Sequence, residues 1–332
     1  MPKREAVSLP LADPERLERA GALAERAPLP ARVGKIELGT ASWTDRTLVE
    51  SHTFYPRGAS SPEARLRHYS AHFPFVEVDA TYYTLLPAET AARWVSFTPA
   101  DFSFDVKAFP SLTGHPIDVT RLPSDLKEAV NALGHERRVY PDKLPPELRG
   151  EIDRRFLGFL EPLREAGRLR AVLLQFPPWF TATRGNVKKL EDARAAYPSL
   201  PLAVEFRHKS WFLPERRERV LDVLRAERMS FVVVDEPGMP LIADVTNPEL
   251  AIVRFHGKSE AGWRKKGASV YERFGYLYEP SELSAWVEPV KRLAQSAERV
   301  QAIFNNCLRN YAVLGAKDLA VLLSPDSNTS SS

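Results

Sequence analysis

The 332-residue chain has a single cysteine and no long uninterrupted apolar run. Because Cys307 has no partner for an internal disulfide, the fold requires no oxidising compartment. Without an apolar run of about 20 residues, the sequence predicts no membrane span. Residues 1–30 also lack the apolar core of a signal peptide. We therefore expect a cytoplasmic protein that does not contact a membrane.

The chain also lacks an excess of charge of one sign. Its 46 Lys and Arg residues nearly balance its 43 Asp and Glu residues, which leaves a formal net charge of +3. Such a balance does not indicate binding to nucleic acid, and only a local basic patch would. The apolar fraction of 44% and the charged fraction of 27% are typical of a globular protein. The composition leaves the oligomeric state open.

The sequence has no repeat of fixed period, and no G-x-G-x-x-G motif follows its first strand, which argues against an open doubly wound sheet. Short apolar runs instead alternate with amphipathic segments, which predicts parallel strands joined by helices. The predicted strands span 35–41, 75–81, 102–109, 169–176, 201–206, 230–236, 250–257 and 299–306. Most of them are followed by a helical segment. This pattern predicts an α/β fold, a TIM-like (β/α)8 barrel in a single domain over residues 35–323.

Three segments fall outside this alternation. Residues 1–34 are interpreted as a polar N-terminal extension with one short helix, and we exclude them from the fold. Residues 109–147, rich in proline and charge, form a long insertion after the third strand, either on the surface or as a lid over a site. Residues 324–332 are expected to be a disordered tail.

Several predicted strands alternate apolar with ionisable residues, although strands covered on both faces are usually apolar throughout. In the segment 203–208, Val204 and Phe206 share one face, and Glu205 and Arg207 share the other. If the apolar face packs on the helices, the ionisable face points into the barrel near the strand ends where barrel enzymes place their chemistry. The catalytic candidates chosen in this way are Glu77, Lys107, Glu205, Asp235 and His256.

Substrate-binding candidates lie on the same strand faces or just beyond the strand ends. Rings at the mouth of a polar pocket are able to stack on sugars or nucleobases, whereas rim packing is the structural alternative. The ionisable residues likewise have an alternative role as a network of ion pairs without a ligand. The substrate-binding candidates are Trp43, Tyr82, Gln175, Arg207, His208, Trp211, Arg254 and Asn305.

An ordered set of short segments resembles the YecE-like family of uncharacterised proteins, a domain of unknown function. The segments are GTASWTD (39–45), VEVDATYY (76–83), FDVKAF (104–109), QFPPWF (175–180), VEFRHKSW (204–211), VVDEPG (233–238), VRFHG (253–257) and FNN (304–306). The resemblance implies a TIM-like barrel and implies no established activity, cofactor or catalytic residue. Members of that family usually have Asn at the position of Asp79, and an Asn-Ala pair where this chain has Gly315 and Ala316.

A metal-independent hydrolase or lyase is the leading hypothesis. In it, Glu205 or Glu77 acts as general acid or base, and the cations hold an anionic group such as that of a sugar phosphate or nucleotide. No cofactor is then required. We expect Glu205→Gln to abolish turnover with little change in melting temperature.

Two alternatives involve other chemistry. A divalent metal ion bound by carboxylates and imidazoles would suit a nuclease-like or isomerase-like barrel enzyme, with Glu77, Asp79, Glu205, His208, Asp235 and His256 as ligand candidates. However, none of these candidates belongs to an H-x-x-x-H or H-E-x-x-H motif, and the neighbouring cations would repel a metal ion. A non-catalytic module is the second alternative, with the basic loop 256–267 binding phosphates or single-stranded nucleic acid.

Overall fold

The computed structural model of the chain describes residues 12–260, 262, 265 and 267–325. The helices are α1 Pro14–Ala24, α2 Arg46–Ser51, α3 Pro62–His72, α4 Ala88–Phe97, α5 Pro110–Thr113, α6 Ser124–Ala132, α7 Pro146–Glu165, α8 Arg184–Ala196, α9 Pro214–Ala226, α10 Val270–Phe274, α11 Pro280–Ser296 and α12 Tyr311–Leu323. The strands are β1 Arg32–Val33, β2 Ile36–Thr40, β3 Phe75–Val78, β4 Ser103–Lys107, β5 Ile117–Asp118, β6 Arg138–Val139, β7 Leu169–Gln175, β8 Leu202–Glu205, β9 Ser230–Asp235, β10 Ala251–Phe255 and β11 Val300–Phe304.

Local sequence signals explain where many helices begin. The side chains of Asp13, Ser61 and Thr183 accept hydrogen bonds from the first turns of α1, α3 and α8, which satisfies amides that have no partner within the helix. Proline occupies the first turn of α1, α3, α7, α9 and α11, where its missing N–H costs nothing.

The strands form a curled, mostly parallel sheet with the order β1-β2-β11-β10-β9-β8-β7-β4-β3 in the described part of the chain. Strand β1 is the antiparallel member and pairs with β2, and the other pairings of this sheet are parallel. The α/β class and the parallel pairing agree with the prediction. The ninth strand, β1, comes from residues that the sequence prediction had placed outside the fold.

The two ends of the curled sheet approach each other near the carboxyl ends of β2 and β3. A single parallel bridge joins Ala41 to Glu77, and the Ser42 amide donates to the Glu77 carbonyl over 2.8 Å. Gly39 permits a close approach in the same region, because a Cβ atom on it would lie 2.9 Å from the Phe75 ring.

The sheet has a convex face covered by helices and a concave face turned toward its own interior. Alternation along each strand assigns Val204 and Phe206 to the large core beneath the helices. Ala203, Ile252 and Ile303 belong to a separate apolar cluster on the concave face. The ionisable residues of these strands share the concave face with that second cluster, as the alternating pattern predicted.

The segments flanking the main alternation are packed against the rest of the fold. Ala20 and Ala24 of α1 pack against Tyr311 and Leu314 of α12. Within the predicted insertion, strands β5 and β6 pair antiparallel, and the buried Val130 belongs to the main core. The closing of this segment over a ligand stays a prediction. Among the described residues, none of the helices has both the length and the apolar character needed to cross a membrane.

Candidate functional site

A chain of buried ion pairs crosses the concave face near the carboxyl ends of the strands. Arg254 donates to Glu77 over 2.7 Å and also binds Glu205. These three side chains are no more than 1% exposed, so neither charge of either pair is solvated to any useful degree. Burial of this kind is tolerated only when each charge has partners, and Arg254 provides one for both carboxylates.

Further polar side chains surround Glu205 and extend the chain of ion pairs. Arg207 lies 2.8 Å from Glu205 and 2.9 Å from Glu236, so it joins the two carboxylates. The amide of Gln175 donates to Glu205 over 2.7 Å. His256 Nε2 lies 3.3 Å from Glu205, and its Nδ1 lies 3.1 Å from the Asn305 amide. We call this set the carboxyl-end cluster: Glu77, Gln175, Glu205, Arg207, Glu236, Arg254, His256 and Asn305.

Strand register brings these residues together from distant parts of the sequence. Gln175 of β7 is the direct register partner of Glu205 of β8. Arg254 is on β10 and His256 directly follows the end of that strand, two positions further along, so alternation places both on the same face. Because parallel strands present their carboxyl ends at one edge, side chains from positions 77 to 305 converge there.

Burial and charge set the protonation states within the carboxyl-end cluster. Burial raises the pKa of Glu205, but the guanidinium groups of Arg254 and Arg207 outweigh that effect and hold the pKa well below its usual range. Burial raises the pKa of Glu236 to about 7, despite the opposing charge of Arg207. Burial lowers the pKa of His256 to about 3. Near neutral pH, Glu205 is therefore ionised, His256 is neutral, and Glu236 exchanges a proton readily.

Lys107 lies beside this cluster at the end of β4. Its side chain is half-buried, and its ammonium lies 4.4 Å from the centre of the Tyr82 ring. Burial and the nearby charge of Arg254 lower the pKa of Lys107 to about 8. Burial raises the pKa of Asp79 to about 6, and the positive charge of Lys107 opposes that rise. Both groups thus titrate near neutral pH.

Aromatic rings form a rim next to Lys107. The ring of His115 lies 5.3 Å from Tyr82 and 5.8 Å from Trp179, measured between ring centres. His115 is buried and its Nδ1 lies 2.9 Å from the Thr113 hydroxyl. Trp179 is 56% exposed and also borders a surface groove of about 700 Å³. This rim would allow a substrate larger than the buried cluster to rest on exposed rings.

Four of the predicted site residues lie away from the carboxyl-end cluster. Asp235 follows Val233 on the convex face, and its Oδ2 lies 3.9 Å from the Lys258 ammonium. Trp43 packs edge-on against Trp94 in the main core. Trp211 and His208 are the other two.

Trp211 and His208 serve local packing and turn formation. Trp211 is 1% exposed, stacks on Phe206 with 4.3 Å between ring centres, and donates its indole N–H to the Phe180 carbonyl. The His208 side chain accepts from the Ser210 amide and so caps a short 3-10 turn. Both residues follow the end of β8, where the chain turns, and their side chains therefore do not lie on the concave face.

Two residues of the site were not selected from the sequence. Glu236 continues the inward face of β9 after Val232 and Val234, and strict alternation along that strand would have selected it instead of Asp235. His115 lies in the predicted insertion, and the folding of that segment buries it beside Tyr82 and Trp179.

The metal and nucleic-acid alternatives stay predictions, and two observations bear on their candidate residues. In the described residues, no group of three or more His, Cys, Asp or Glu is arranged to hold a metal ion. In the basic loop, Lys258 lies near two carboxylates and Lys265 is 2.5 Å from Glu272. Other members of that loop, Trp263, Arg264 and Lys266, lie outside the described residues.

Comparisons with known proteins give a family and no activity. The family model described as "Protein of unknown function DUF72" matches residues 37–331. The UPF0759 protein YunF of Bacillus subtilis (strain 168) is 33% identical over 296 residues, which cover 87% of this chain and 94% of that protein. The YecE-like name stays a prediction.

Two crystal structures of DUF72 family proteins are similar to this fold. The protein from Enterococcus faecalis V583 is 29% identical with a TM-score of 0.71, and the match covers 87% of this chain and 95% of that one. The protein from Thermotoga maritima MSB8 is 32% identical with a TM-score of 0.67, covering 87% and 98%. By sequence and by structure, this chain belongs to the DUF72 family of proteins of unknown function.

Proposed function

We propose that this protein is an enzyme, a hydrolase or lyase that transfers protons on a small anionic substrate at the carboxyl-end cluster. The substrate class is a sugar phosphate or a nucleotide-like compound. The proposal is supported by titratable groups with pKa values near neutrality on a face that also carries three cations. Such groups are the ones able to donate and accept protons at physiological pH.

The main support for this proposal is the environment of the Lys107 ammonium. Among the described residues, it has no hydrogen bond or ion pair to a protein acceptor, and its contact is the Tyr82 ring. The ammonium keeps some access to solvent and has no protein acceptor among the described residues, so no protein group competes with an anion that enters the site. An anionic or electron-rich group of a substrate would supply the missing partner.

Glu236 provides a way for Arg207 to bind a substrate anion. The two groups form an ion pair of 2.9 Å, but the pKa of Glu236 is about 7. Protonation of Glu236 near neutral pH therefore costs little, and it weakens the hold of this carboxylate on Arg207. A substrate anion would then replace Glu236, and the protonated carboxyl group would be available as a general acid.

Glu205 is better suited to positioning than to proton transfer. It accepts from Gln175, Arg207 and Arg254, and its pKa lies far below neutral. A carboxylate with so many donors is a weak base and holds no proton to donate. We therefore assign to Glu205 the role of fixing the two arginines, and to Glu236 and Asp79 the transfer of protons.

We also propose that the curled sheet is a closed barrel of eight parallel strands, with β1 attached outside it. The bridge between Ala41 and Glu77 supports this arrangement, because it connects β2 to β3 at the open ends of the strand order. Closure would enclose the carboxyl-end cluster on all sides except the mouth, as in barrel enzymes.

A panel of sugar phosphates and nucleoside monophosphates tests the proposed function. Consumption is followed by phosphorus NMR, and binding by the shift in melting temperature. We expect one or more members to be bound and consumed, and Glu236→Gln or Lys107→Met to lower the rate by about 10²-fold or more. Lys209→Met, at an exposed position outside the cluster, is the matched control and should keep the rate. The proposal fails if native protein neither binds nor consumes any member.

A further inference from the structure

We infer that Lys107 is a nucleophile that forms an imine with a carbonyl group of the substrate. This inference rests on the proposed function and narrows it to a lyase acting on an anionic aldehyde or ketone. The geometry points to it because Lys107 combines a half-buried position, a place at a strand end on the concave face, and an ammonium without an acceptor in the described residues.

Other lysines near the carboxyl ends of the strands are held differently. Lys258, which follows β10, lies 3.9 Å from Asp235 and 3.7 Å from Glu282. Lys265 lies 2.5 Å from Glu272. An ion pair keeps a lysine charged and therefore unreactive, because only the neutral amine has the lone pair that attacks a carbonyl carbon. Lys107 lacks that restraint.

The surroundings of Lys107 favour the neutral amine. Burial and the positive charge of Arg254 lower its pKa to about 8. At pH 7 roughly a tenth of such a group is neutral, whereas an ordinary lysine is almost wholly charged. Desolvation beside another cation is a recognised way to activate a lysine for imine formation.

Asp79 is the proton acceptor in this proposal. It directly follows β3, whose Val78 pairs with Val106 of β4, and its charge and that of Lys107 each shift the pKa of the other group. The positive charge of Lys107 lowers the pKa of Asp79, but burial outweighs this effect and raises the pKa to about 6. It is therefore able to take a proton from Lys107 and return it later in the reaction.

The proposed step conserves atoms and charge and involves no oxidant. Lys107 gives one ammonium proton to Asp79, and its nitrogen lone pair attacks the carbonyl carbon while the C–O π electrons move to oxygen. The second nitrogen proton passes to that oxygen and gives a neutral carbinolamine. The nitrogen lone pair then forms the C=N bond as the C–O bond breaks. Oxygen leaves as water with the proton returned by Asp79, and a protonated imine remains.

The Tyr82 ring suits the product of this step as well as the reactant. The ring face lies 4.4 Å from Nζ, and a ring quadrupole stabilises a nearby cation. A protonated imine carries its positive charge at the same nitrogen. That charge withdraws electrons from the adjacent bond, which is how an imine assists the cleavage of a carbon–carbon bond.

Reductive trapping tests the inference. Native full-length protein is incubated with pyruvate, glyoxylate or dihydroxyacetone phosphate, each with sodium cyanoborohydride, which reduces an imine to a stable secondary amine. Intact mass and peptide mapping then locate the adduct. We expect one adduct per chain, on Lys107, with at least one probe. Lys209→Met should keep this adduct, because Lys209 is an exposed lysine outside the site.

Lys107→Arg separates covalent chemistry from electrostatics, because arginine keeps the charge but forms no imine under these conditions. The variant should lose both the adduct and turnover. If no probe labels Lys107 in native protein, or if Lys107→Arg keeps turnover of a panel substrate, the imine is overturned. The proposed function would then be judged separately by Glu236→Gln, whose loss of rate does not depend on an imine.

Discussion

The two ends of the concave face both carry buried carboxylates, but they compensate the charge differently. At the amino end, Glu37 binds Arg32 over 3.0 Å and also binds Arg299, and these arginine side chains are 34% and 31% exposed. At the carboxyl end, Glu205 and Arg254 are 0% and 1% exposed. Water therefore shares the compensation at one end, whereas only protein groups provide it at the other.

This difference distinguishes ion pairs that only stabilise the fold from a group of charges that is able to bind a ligand. In the amino-end group, the partly solvated arginines need no further partner. At the carboxyl end, the half-buried Lys107 beside the cluster has no protein acceptor for its ammonium among the described residues. A fold that gains stability from charges would not be expected to leave one in that state, so the second arrangement favours function over stability.

The largest expected effect is that of removing the central carboxylate. Glu205→Gln takes one buried carboxylate from both Arg254 and Arg207 and leaves them with Glu77 and Glu236, so we expect a loss of about 3–5 kcal/mol in the free energy of unfolding. Denaturant titration at pH 7 measures it. The structure thus argues against our expectation, from sequence alone, of an almost unchanged melting temperature. A loss below about 1 kcal/mol would mean that the cluster is solvated after all.

Removing the Lys107 ammonium should raise the free energy of unfolding, and by less than Glu205→Gln lowers it. Lys107→Met eliminates the cost of holding a partly desolvated cation, so we expect about 0.5–2 kcal/mol of added stability at pH 7. The pKa of Lys107 is about 8 in the folded protein, against 10.5 ordinarily. Between these values the unfolded chain binds more protons than the native one, so the stability of the native protein rises with pH.

The same titration supplies the check on that variant. The advantage of Lys107→Met over native protein should shrink between about pH 8 and pH 10.5 and vanish above it. Denaturant titrations at pH 7, 8.5 and 10 follow this change, with Lys209→Met as control. A Lys107→Met protein that is less stable than native at pH 7 would show that the surrounding carboxylates depend on this cation.

The smallest effect is expected at the amino end. Glu37→Gln removes pairs in which the arginines are about one-third exposed, so solvent replaces much of the lost interaction and we expect about 0.5–1 kcal/mol. Unfolding in low and high salt measures it, and the loss should decrease as salt screens the native pair. A loss equal to that of Glu205→Gln would remove the distinction between the two ends.

Alternation along single strands predicted much of the site. Glu77, Glu205, Arg207, Arg254 and His256 were selected because they oppose valine or phenylalanine in their strands, and the structure brings all five together. This works because a strand has a fixed period of two, and helices cover one face. The α/β class and the order of elements follow from the same periodicity.

The remaining features depend on tertiary geometry that local patterns do not contain. Trp43 and Trp211 follow strands, but the chain turns beyond the strand end and directs these rings into the core. Strand β1 and helix α1 joined the fold through contacts with segments far away in sequence. Glu236 was not predicted because Asp235, the last residue of β9, was selected, and Asp235 lies on the opposite face of that strand.

Helix α1 ties the beginning of the chain to its end. The Ala12 amide donates to the Tyr311 hydroxyl over 2.9 Å, and Ala20 covers the same part of α12. The region shared with the family begins only at residue 37, after this helix. A protein trimmed to that region would keep every catalytic candidate, yet it would open an apolar strip of its final helix to water. The first residue of the family match is therefore a poor choice of starting point for a shortened protein.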